Sequence, residues 1–393
     1  MGIRYANKSD KEQVVSLWNY CFDDGENFVR YYFENVYDEN NTIVIEEDEE
    51  ILSSLQLNKY KIKLRDKDYD VSYIVGVSSK PEVRGLGYMK KLMTHTLEEL
   101  YKSGEIVSIL MAIDYRLYKK YGFDHCYDQI QYNIKTTELS NFKLTSRLKR
   151  ATLEDAKILS DIYTEAMTDL NGYTVREEVY FRRFIKEIES ENGYVYIYEE
   201  NGSRGYISYY IQDSTFLVRE LMYNSMTALK CILGYVYNHN TQCKDTVINS
   251  PINDKIRFII ANLKTCEIKL IPFMAGRVIN LKKYLEGIKL DTTKILKIKE
   301  NTINIKVLDK YIRQNDGVFK ISIVDNKINV QRVEENYDIE LDINSITQLA
   351  FSYLNMDEVF MINEIDENCL TEDKKMLLEV LFEKKQNYID ELV

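Results

Sequence analysis

Histidine and cysteine are scarce in this chain, and each scarcity removes a class of function. Only three histidines occur in 393 residues, His95, His125 and His239, too few to assemble a convincing metal cluster. The six cysteines (Cys21, Cys126, Cys231, Cys243, Cys266, Cys369) are scattered with no C-x-x-C spacing, so neither a disulfide framework nor a zinc site is expected. No apolar run approaches the length of a membrane span, and the opening MGIRYANKSDKEQ does not read as a signal peptide. A cytoplasmic protein without membrane insertion is therefore expected. Positive charge is also in deficit. A formal net charge of −11 lacks the basic footprint that nucleic-acid binding requires. Acidity of this size would draw cationic small molecules or basic peptide segments, although solubility alone accounts for it. Three prolines set among abundant Tyr, Ile, Asn and Lys are the composition expected of an AT-rich genome.

What is present is a soluble globular composition, 45% hydrophobic and 29% charged, long enough for two or three domains with cores of their own. The stretch that organises the chain is VGVSSKPEVRGLGYMKKLM, Val75 to Met93. A strand of mostly β-branched and small residues, Val71 to Val77, leads into it. Pro81, which has no N–H, then ends sheet pairing. Arg84-Gly85-Leu86-Gly87 stands at the mouth of a helix whose apolar face is Leu86, Met89, Leu92, Met93, Thr96, Leu97 and Leu100. A strand, a glycine-bearing turn and a helix N-terminus together present unpaired N–H groups at the positive end of a helix dipole. Such a site suits a diphosphate. The glycines let the backbone approach the ligand.

Around this stretch the elements alternate: a strand at Ile3–Ala6, helices from Ser9-Asp10 and over Glu26 to Tyr37, and strands at 41–46, 50–59 and 70–77. After the loop and its helix come a buried strand at 106–113, a short helix and a strand at 129–135. IRYANKSDKEQVVSLW is then echoed by LKRATLEDAKILSDIY from Leu148, which begins a second unit of similar order. At its strand-to-helix junction the second unit reads ELMYNSMTALK, with no Arg-x-x-Gly. Such a unit cannot hold a pyrophosphate and would be structural or would wall a substrate cleft. The segment FMAGRVINLKKYL follows, then short alternating strands and helices with apolar faces.

The order V-x-V-x-x-x-P-x-x-R-G-x-G resembles the coenzyme A loop of the GNAT N-acetyltransferases, and Met89, where most members carry Gly or Ala, points to their Eis-like (enhanced intracellular survival) branch. The FMAGRVIN phrase is similar to the one that introduces that branch's third region. The resemblance implies an α+β chain of two tandem GNAT-like folds and a sterol-carrier-protein-like domain: residues 1–142, catalytic and acetyl-CoA-binding; 143–285, degenerate; and 286–393, whose end reaches the active site. It implies acetyl-CoA as co-substrate and no metal. Val77, Ser78 and Ser79 would face the pantetheine arm, and Arg84, Gly85, Leu86, Gly87, Tyr88, Met89 and Lys90 the pyrophosphate. Ile113 and Asp114 would line the other side of a splayed strand pair.

Leu117-Tyr118-Lys119-Lys120-Tyr121-Gly122-Phe123 matches the family's Y-x-x-x-G-F phrase, whose tyrosine protonates the departing thiolate, and this assigns Tyr118. A phenol of pKa about 10 holds its proton at neutral pH and can lend it. For the base, His95 lies on the helix after the loop and His125 beyond Phe123; neither has a motif behind it. The resemblance implies instead the C-terminal carboxylate, here at Val393, where the family often ends in an aromatic residue. Asp23, Asp24, Glu26 and Glu34 border the expected acceptor cleft and would suit a polyamine or aminoglycoside. They fit a solvated helix face equally. The expected function is transfer of an acetyl group to amines of a polycationic small molecule. The alternatives are protein lysines or N-termini as acceptors, and a non-catalytic acyl-CoA or lipid binder. A homo-oligomer, a hexamer by preference, is implied by the resemblance alone.

Overall fold

The computed structural model describes residues 2–291, 293, 298–366 and 370–392. In chain order the first region contains β1 (Gly2–Tyr5), α1 (Lys11–Cys21), α2 (Glu26–Asn35), β2 (Thr42–Glu47), β3 (Glu50–Leu64), β4 (Lys67–Ser79), α3 (Tyr88–Ser103), β5 (Val107–Leu110), α4 (Tyr115–Lys119) and β6 (Asp124–Lys135). The second contains β7 (Lys149–Arg150), α5 (Ala156–Ala166), β8 (Tyr173–Thr174), α6 (Glu178–Ser190), β9 (Tyr194–Glu200), β10 (Ser203–Gln212), β11 (Thr215–Tyr223), α7 (Met226–Tyr237), β12 (Asp245–Ser250) and β13 (Glu267–Val278). The third contains α8 (Leu281–Glu286), β14 (Thr302–Leu308), β15 (Gly317–Val324), β16 (Lys327–Val333), β17 (Ile339–Asp342), α9 (Ile343–Ala350), α10 (Met356–Ile362) and α11 (Glu372–Leu381).

The repeated opening phrase has one physical cause in both copies. Asn7 accepts from the Ser9 amide while Asp10 accepts from the Asn7 amide at 2.7 Å, and Arg4 pairs with Asp10 at 2.7 Å. In the second copy Asp155 accepts from the Thr152 amide at 2.9 Å, and Lys149 pairs with Asp155 at 2.5 Å. Each is a capping box that starts a helix. A cation six residues upstream neutralises the buried carboxylate.

Two compact units form, and neither is continuous in sequence: Met1–Asp23, Val36–Tyr127 and Phe273–Val393 in one, Asp24–Asn35 and Asp128–Pro272 in the other. In the first unit the strands run β1-β2-β3-β4-β5 and then the C-terminal end of β13, whose Ala275–Val278 pairs antiparallel with Val107–Leu110. The β4–β5 pair is parallel. α3 covers one face through Leu92, Met93, Leu97 and Leu100, against Ile43, Ile45, Leu55 and Leu57. The third region adds a four-stranded sheet, β16-β15-β14-β17, to this unit. In the second unit the order is β7-β9-β10-β11-β12 and then the C-terminal part of β6, with β11–β12 parallel. The same sheet plan is thus built twice. The strand at 129–135, expected from order alone to close the first fold, pairs with β12 in the second unit, and 275–278 stands beside β5. Strand propensity fixes the element and leaves its partner open.

Candidate active site

The site grows from the place where β4 leaves its neighbours. Register against β3 passes from Gln56↔Val75 to Ser54↔Ser78, so β4 carries one residue more and bulges. Gly76 stands in the bulge at φ +58, and a Cβ there would lie 2.0 Å from the Gln56 Oε1 and 2.4 Å from the Trp18 ring. Only glycine fits. β4 pairs with β5 at Tyr73↔Ile109 and Ile74↔Leu110. Past that point the strands part, and the backbone of 75–79 borders an opening. Ser78 and Ser79 turn their hydroxyls to Ser54 and Ser53, at 3.0 and 2.7 Å.

The turn after β4 ends in a cradle of amides. Arg84 and Leu86 donate to the carbonyls of Pro81 and Val83, each at 3.2 Å, and Lys91 is the first helical amide to find an acceptor, the Gly87 carbonyl at 3.0 Å. The amides of Gly85, Gly87, Tyr88, Met89 and Lys90 have no acceptor among the described residues, and no side chain caps the helix. Gly85 and Gly87 sit at φ +80 and +85, with open space where a Cβ would stand. Five donors at the start of a four-turn helix form a strong anion site. Leu86, expected on the buried helix face, is 65% exposed because it lies in the loop before the helix begins. Tyr88 is buried in its place and donates to Glu47 at 2.8 Å. The Arg84 guanidinium turns back toward α1. It donates to the Ser79 carbonyl at 3.1 Å, lies 3.4 Å from the Cys21 thiol, and rests 5.8 Å from the centre of the Tyr20 ring.

The equivalent junction of the second unit carries a side-chain cap. Ser225 caps α7 by accepting from the Ala228 amide at 3.2 Å, and its carbonyl takes the Leu229 amide at 3.1 Å.

Tyr118 lies on α4, 6% exposed. Its phenol has no hydrogen bond among the described residues, and burial pushes its pKa up to about 12. The other two tyrosines of this segment are committed to packing, Tyr115 against His125 at 5.4 Å and Tyr121 against Tyr311 at 5.0 Å. Asp114 caps α4 through the Arg116 amide at 2.9 Å, and the Arg116 guanidinium beside it holds its carboxyl below the usual range. β5 ends at Leu110, earlier than its apolar pattern indicates, so Ile113 stands in the connection, 75% exposed. His125 is held in a packed cluster, its Nε2 3.1 Å from the Tyr127 carbonyl and its ring 4.9 Å from Tyr353. His95 lies on α3 beside Glu99, away from the cradle.

The end of the chain is led into the first unit. Asn387 donates to the carbonyls of Cys126 and Phe351 at 2.9 and 2.8 Å, and Tyr73 of β4 donates to the Glu391 carbonyl at 3.4 Å. Tyr388 to Glu391 are buried. Val393 lies outside the described residues. Asp23, Asp24 and Glu26 are all exposed. Asp23 belongs to the first unit; Asp24 and Glu26 go with α2 into the second, where Tyr31 donates to the Arg183 carbonyl at 2.9 Å. The three are not gathered within one unit. Among the described residues no group of three or more His, Cys, Asp or Glu could hold a metal ion, and no helix is long and apolar enough to cross a membrane.

Two features escaped the sequence. The bulge had a signal, a glycine inside a β-branched strand (Ile74-Val75-Gly76-Val77). Tyr20 and Cys21, which hold Arg84, had none, because that contact joins elements more than sixty residues apart.

A parallel strand pair that parts beside a bulge, an amide cradle at the following helix and a buried phenol form an arrangement that can hold an anion and lend a proton. The comparisons give the class. Residues 2–126 and 172–278 each match the acetyltransferase (GNAT) domain, and residues 281–390 match the sterol carrier protein domain. The chain is a GNAT-type acyltransferase of two tandem GNAT domains and a C-terminal sterol-carrier-like domain, a class whose co-substrate is acetyl-CoA. No curated protein matches the sequence. Among solved structures it is similar to a conserved protein of unknown function from Enterococcus faecalis (21% identity, TM-score 0.85, covering 100% of this chain and 99% of that one). It is also similar to a GCN5-related N-acetyltransferase from Anabaena variabilis (18%, 0.83, all of both chains) and to Eis1 from Mycobacterium abscessus (14%, 0.76, all of both chains).

Proposed function

We propose that this chain is an Eis-like N-acetyltransferase that moves the acetyl group of acetyl-CoA to an amine of a polycationic small molecule, of polyamine or aminoglycoside type. The observation that carries the reading is the set of five unpartnered amides from Gly85 to Lys90 beside the β4–β5 opening. They bind the pyrophosphate, the backbone at Val77 orients the thioester, and Tyr118 gives its proton to the departing thiolate. The proposed base is the carboxylate at Val393. It is favoured by the contacts of Asn387 with Cys126 and of Glu391 with Tyr73 of β4, and by the engagement of His125 in packing. The acidic chain and the exposed Asp23, Asp24 and Glu26 are compatible with a cationic acceptor. A homo-oligomer, a hexamer by preference, is part of the same proposal and is tested by sedimentation velocity.

Release of CoA thiol from acetyl-CoA, measured with a panel of polyamines and aminoglycosides, tests the activity. Turnover with these amines supports the reading, and loss of turnover on extending the chain past Val393 supports the terminal base. Turnover unaffected by the extension removes that base. Binding of acetyl-CoA without turnover of any small amine excludes the proposed acceptor and directs the search to protein lysines. Gly87→Ala should raise the KM for acetyl-CoA by about 10- to 100-fold, the size of charged hydrogen bonds lost as the loop shifts, with far less effect on the KM of the amine. An equal rise in both would show that the loop does not hold the pyrophosphate.

A further inference from the structure

The second unit has an opening of its own. Register against β10 passes from Tyr209↔Val218 to Ser208↔Glu220, so β11 carries one residue more and bulges, as β4 does. Its pairing with β12 ends at Val218↔Ile248, although β11 continues to Tyr223 and β12 to Ser250. A cavity of about 350 Å³ is lined by Leu221 to Tyr223 and Ser250 past that pair, by the end of α5 and by the turn after β12. Its volume is within the range of about 300–1,000 Å³ typical of small-molecule sites. Met167, Met222 and Met226 give it apolar surface, and three carboxylates line it, Glu165, Asp169 and Asp254. Glu165 is committed to Arg204 at 2.8 Å and to Asn224 at 2.9 Å, and Asp169 is exposed to water. Asp254 differs from both. It is 6% exposed, and its Oδ1 accepts from the Tyr132 hydroxyl at 2.5 Å and the Ile256 amide at 3.3 Å, but its Oδ2 has no hydrogen-bond partner among the described residues. The nearby Ser250 hydroxyl stabilises the charge without reaching hydrogen-bond geometry at Oδ2. The neighbouring cations are engaged elsewhere: Lys255 donates to the Asn253 carbonyl at 3.0 Å, and Arg257 lies over the Phe258 ring at 4.9 Å. Burial raises the Asp254 carboxyl above its usual pKa. A cation in contact with Oδ2 would offset that cost.

We propose that this cavity is a second ligand site, for a small organic ammonium whose nitrogen sits on the Asp254 Oδ2 and whose apolar body lies against Met222 and Met226. A buried carboxylate oxygen without a donor calls for one, and an ammonium supplies both the proton donor and the opposite charge. The methionine thioethers adapt to alkyl and aryl bodies alike, and they make favourable contacts with aromatic rings. Ser225 caps α7 and the junction has no Arg-x-x-Gly, so this unit lacks the glycine turn of the first. An amine held here is bound and not acetylated. Binding requires no acyl donor and is independent of the acetyl-transfer reading.

Isothermal titration of the full chain, without acetyl-CoA, with 2-phenylethylamine and its neutral counterpart 2-phenylethanol tests the site. The wild type should bind the amine at least about tenfold more tightly than the alcohol, the size of one charged hydrogen bond. Asp254→Asn keeps an acceptor for Tyr132 and should weaken the amine by about 10- to 100-fold, to the level of the alcohol. Met226→Trp, at an exposed position on the lining, should weaken amine and alcohol together by filling the cavity. It decides the matter if circular dichroism shows Asp254→Asn to be unfolded. Equal binding of amine and alcohol by the wild type, or no binding of the amine, overturns the site. So does an amine affinity unchanged in the folded variants, which would place the amine elsewhere, the acceptor site of the first unit included. Failure of the wild type to bind CoA would count against the acetyl-transfer reading and leave this site standing.

Discussion

Tyr118→Phe should lower kcat by about 10²- to 10⁴-fold, the usual share of a general acid, while the KM for acetyl-CoA changes little. The phenol is buried and free of hydrogen bonds among the described residues, so its removal costs no structural bond and leaves the ring's packing in place. Thiol release under saturating acetyl-CoA measures it. A fall of less than threefold would remove Tyr118 from the reaction. The pH profile gives a second test. Because burial pushes the phenol to about 12, the acid form persists well past the pKa of about 10 of a free tyrosine. The wild type should then show no alkaline loss of kcat from this group between pH 8 and 10. The same shift has a stability consequence of fixed sign. The unfolded chain gives up this proton near pH 10 and the folded chain near 12, so folding is favoured fully below pH 10 and loses that advantage as pH rises through 12. Tyr118→Phe should flatten this part of the alkaline unfolding curve.

Much of this site was legible because its chemistry is local. The cradle needs a strand, a turn with glycines at positive φ and a helix start, all within Val71–Met93, and periodicity and turn chemistry report such things directly. The difference at the second unit's junction was legible for the same reason, since the sequence there has Ser225, which caps α7, and no Arg-x-x-Gly. The strand partners were not. The strand expected at 129–135 forms as part of Asp124–Lys135, yet pairing places 130–135 against β12, and 275–278 stands against β5. Nothing in an alternating pattern names the edge on which a strand will add. The limits of β5 were misread because Met111, Ala112 and Ile113 prolong its apolar run; the short helix capped by Asp114 takes the chain away from the sheet. The acidic residues at 23–26 looked contiguous, but the chain passes from one compact unit to the other between Asp23 and Asp24.

The largest stability effect should come from a residue that does no chemistry. Arg277 and Asp309 are wholly buried, with Nη2 2.9 and 2.7 Å from the two carboxylate oxygens. The guanidinium also donates to the Val278 carbonyl at 2.6 Å and, through Nε, to the Tyr121 carbonyl at 2.9 Å. Asp309 in turn accepts from the amides of Tyr311 and Ile312 and from Asn315, each at 3.1 Å. One ion pair therefore ties the turn after the Tyr118 helix to β13 and to the sterol-carrier-like region. Its Coulomb energy is largely offset by desolvation, but removing one partner strands a charge with no water to take it. Asp309→Ala should cost about 3–5 kcal/mol in urea unfolding, and Arg277→Met a smaller part of that range if the carboxylate keeps its amide donors. The double variant should be less destabilised than the sum of the two. Additivity in this cycle would mean that the two charges do not interact. Because Tyr121 follows Tyr118 by three residues, the surviving folded fraction of Arg277→Met should also lose kcat more than acetyl-CoA affinity. A loss confined to affinity would place the effect of Arg277 on the cradle rather than on the proton donor.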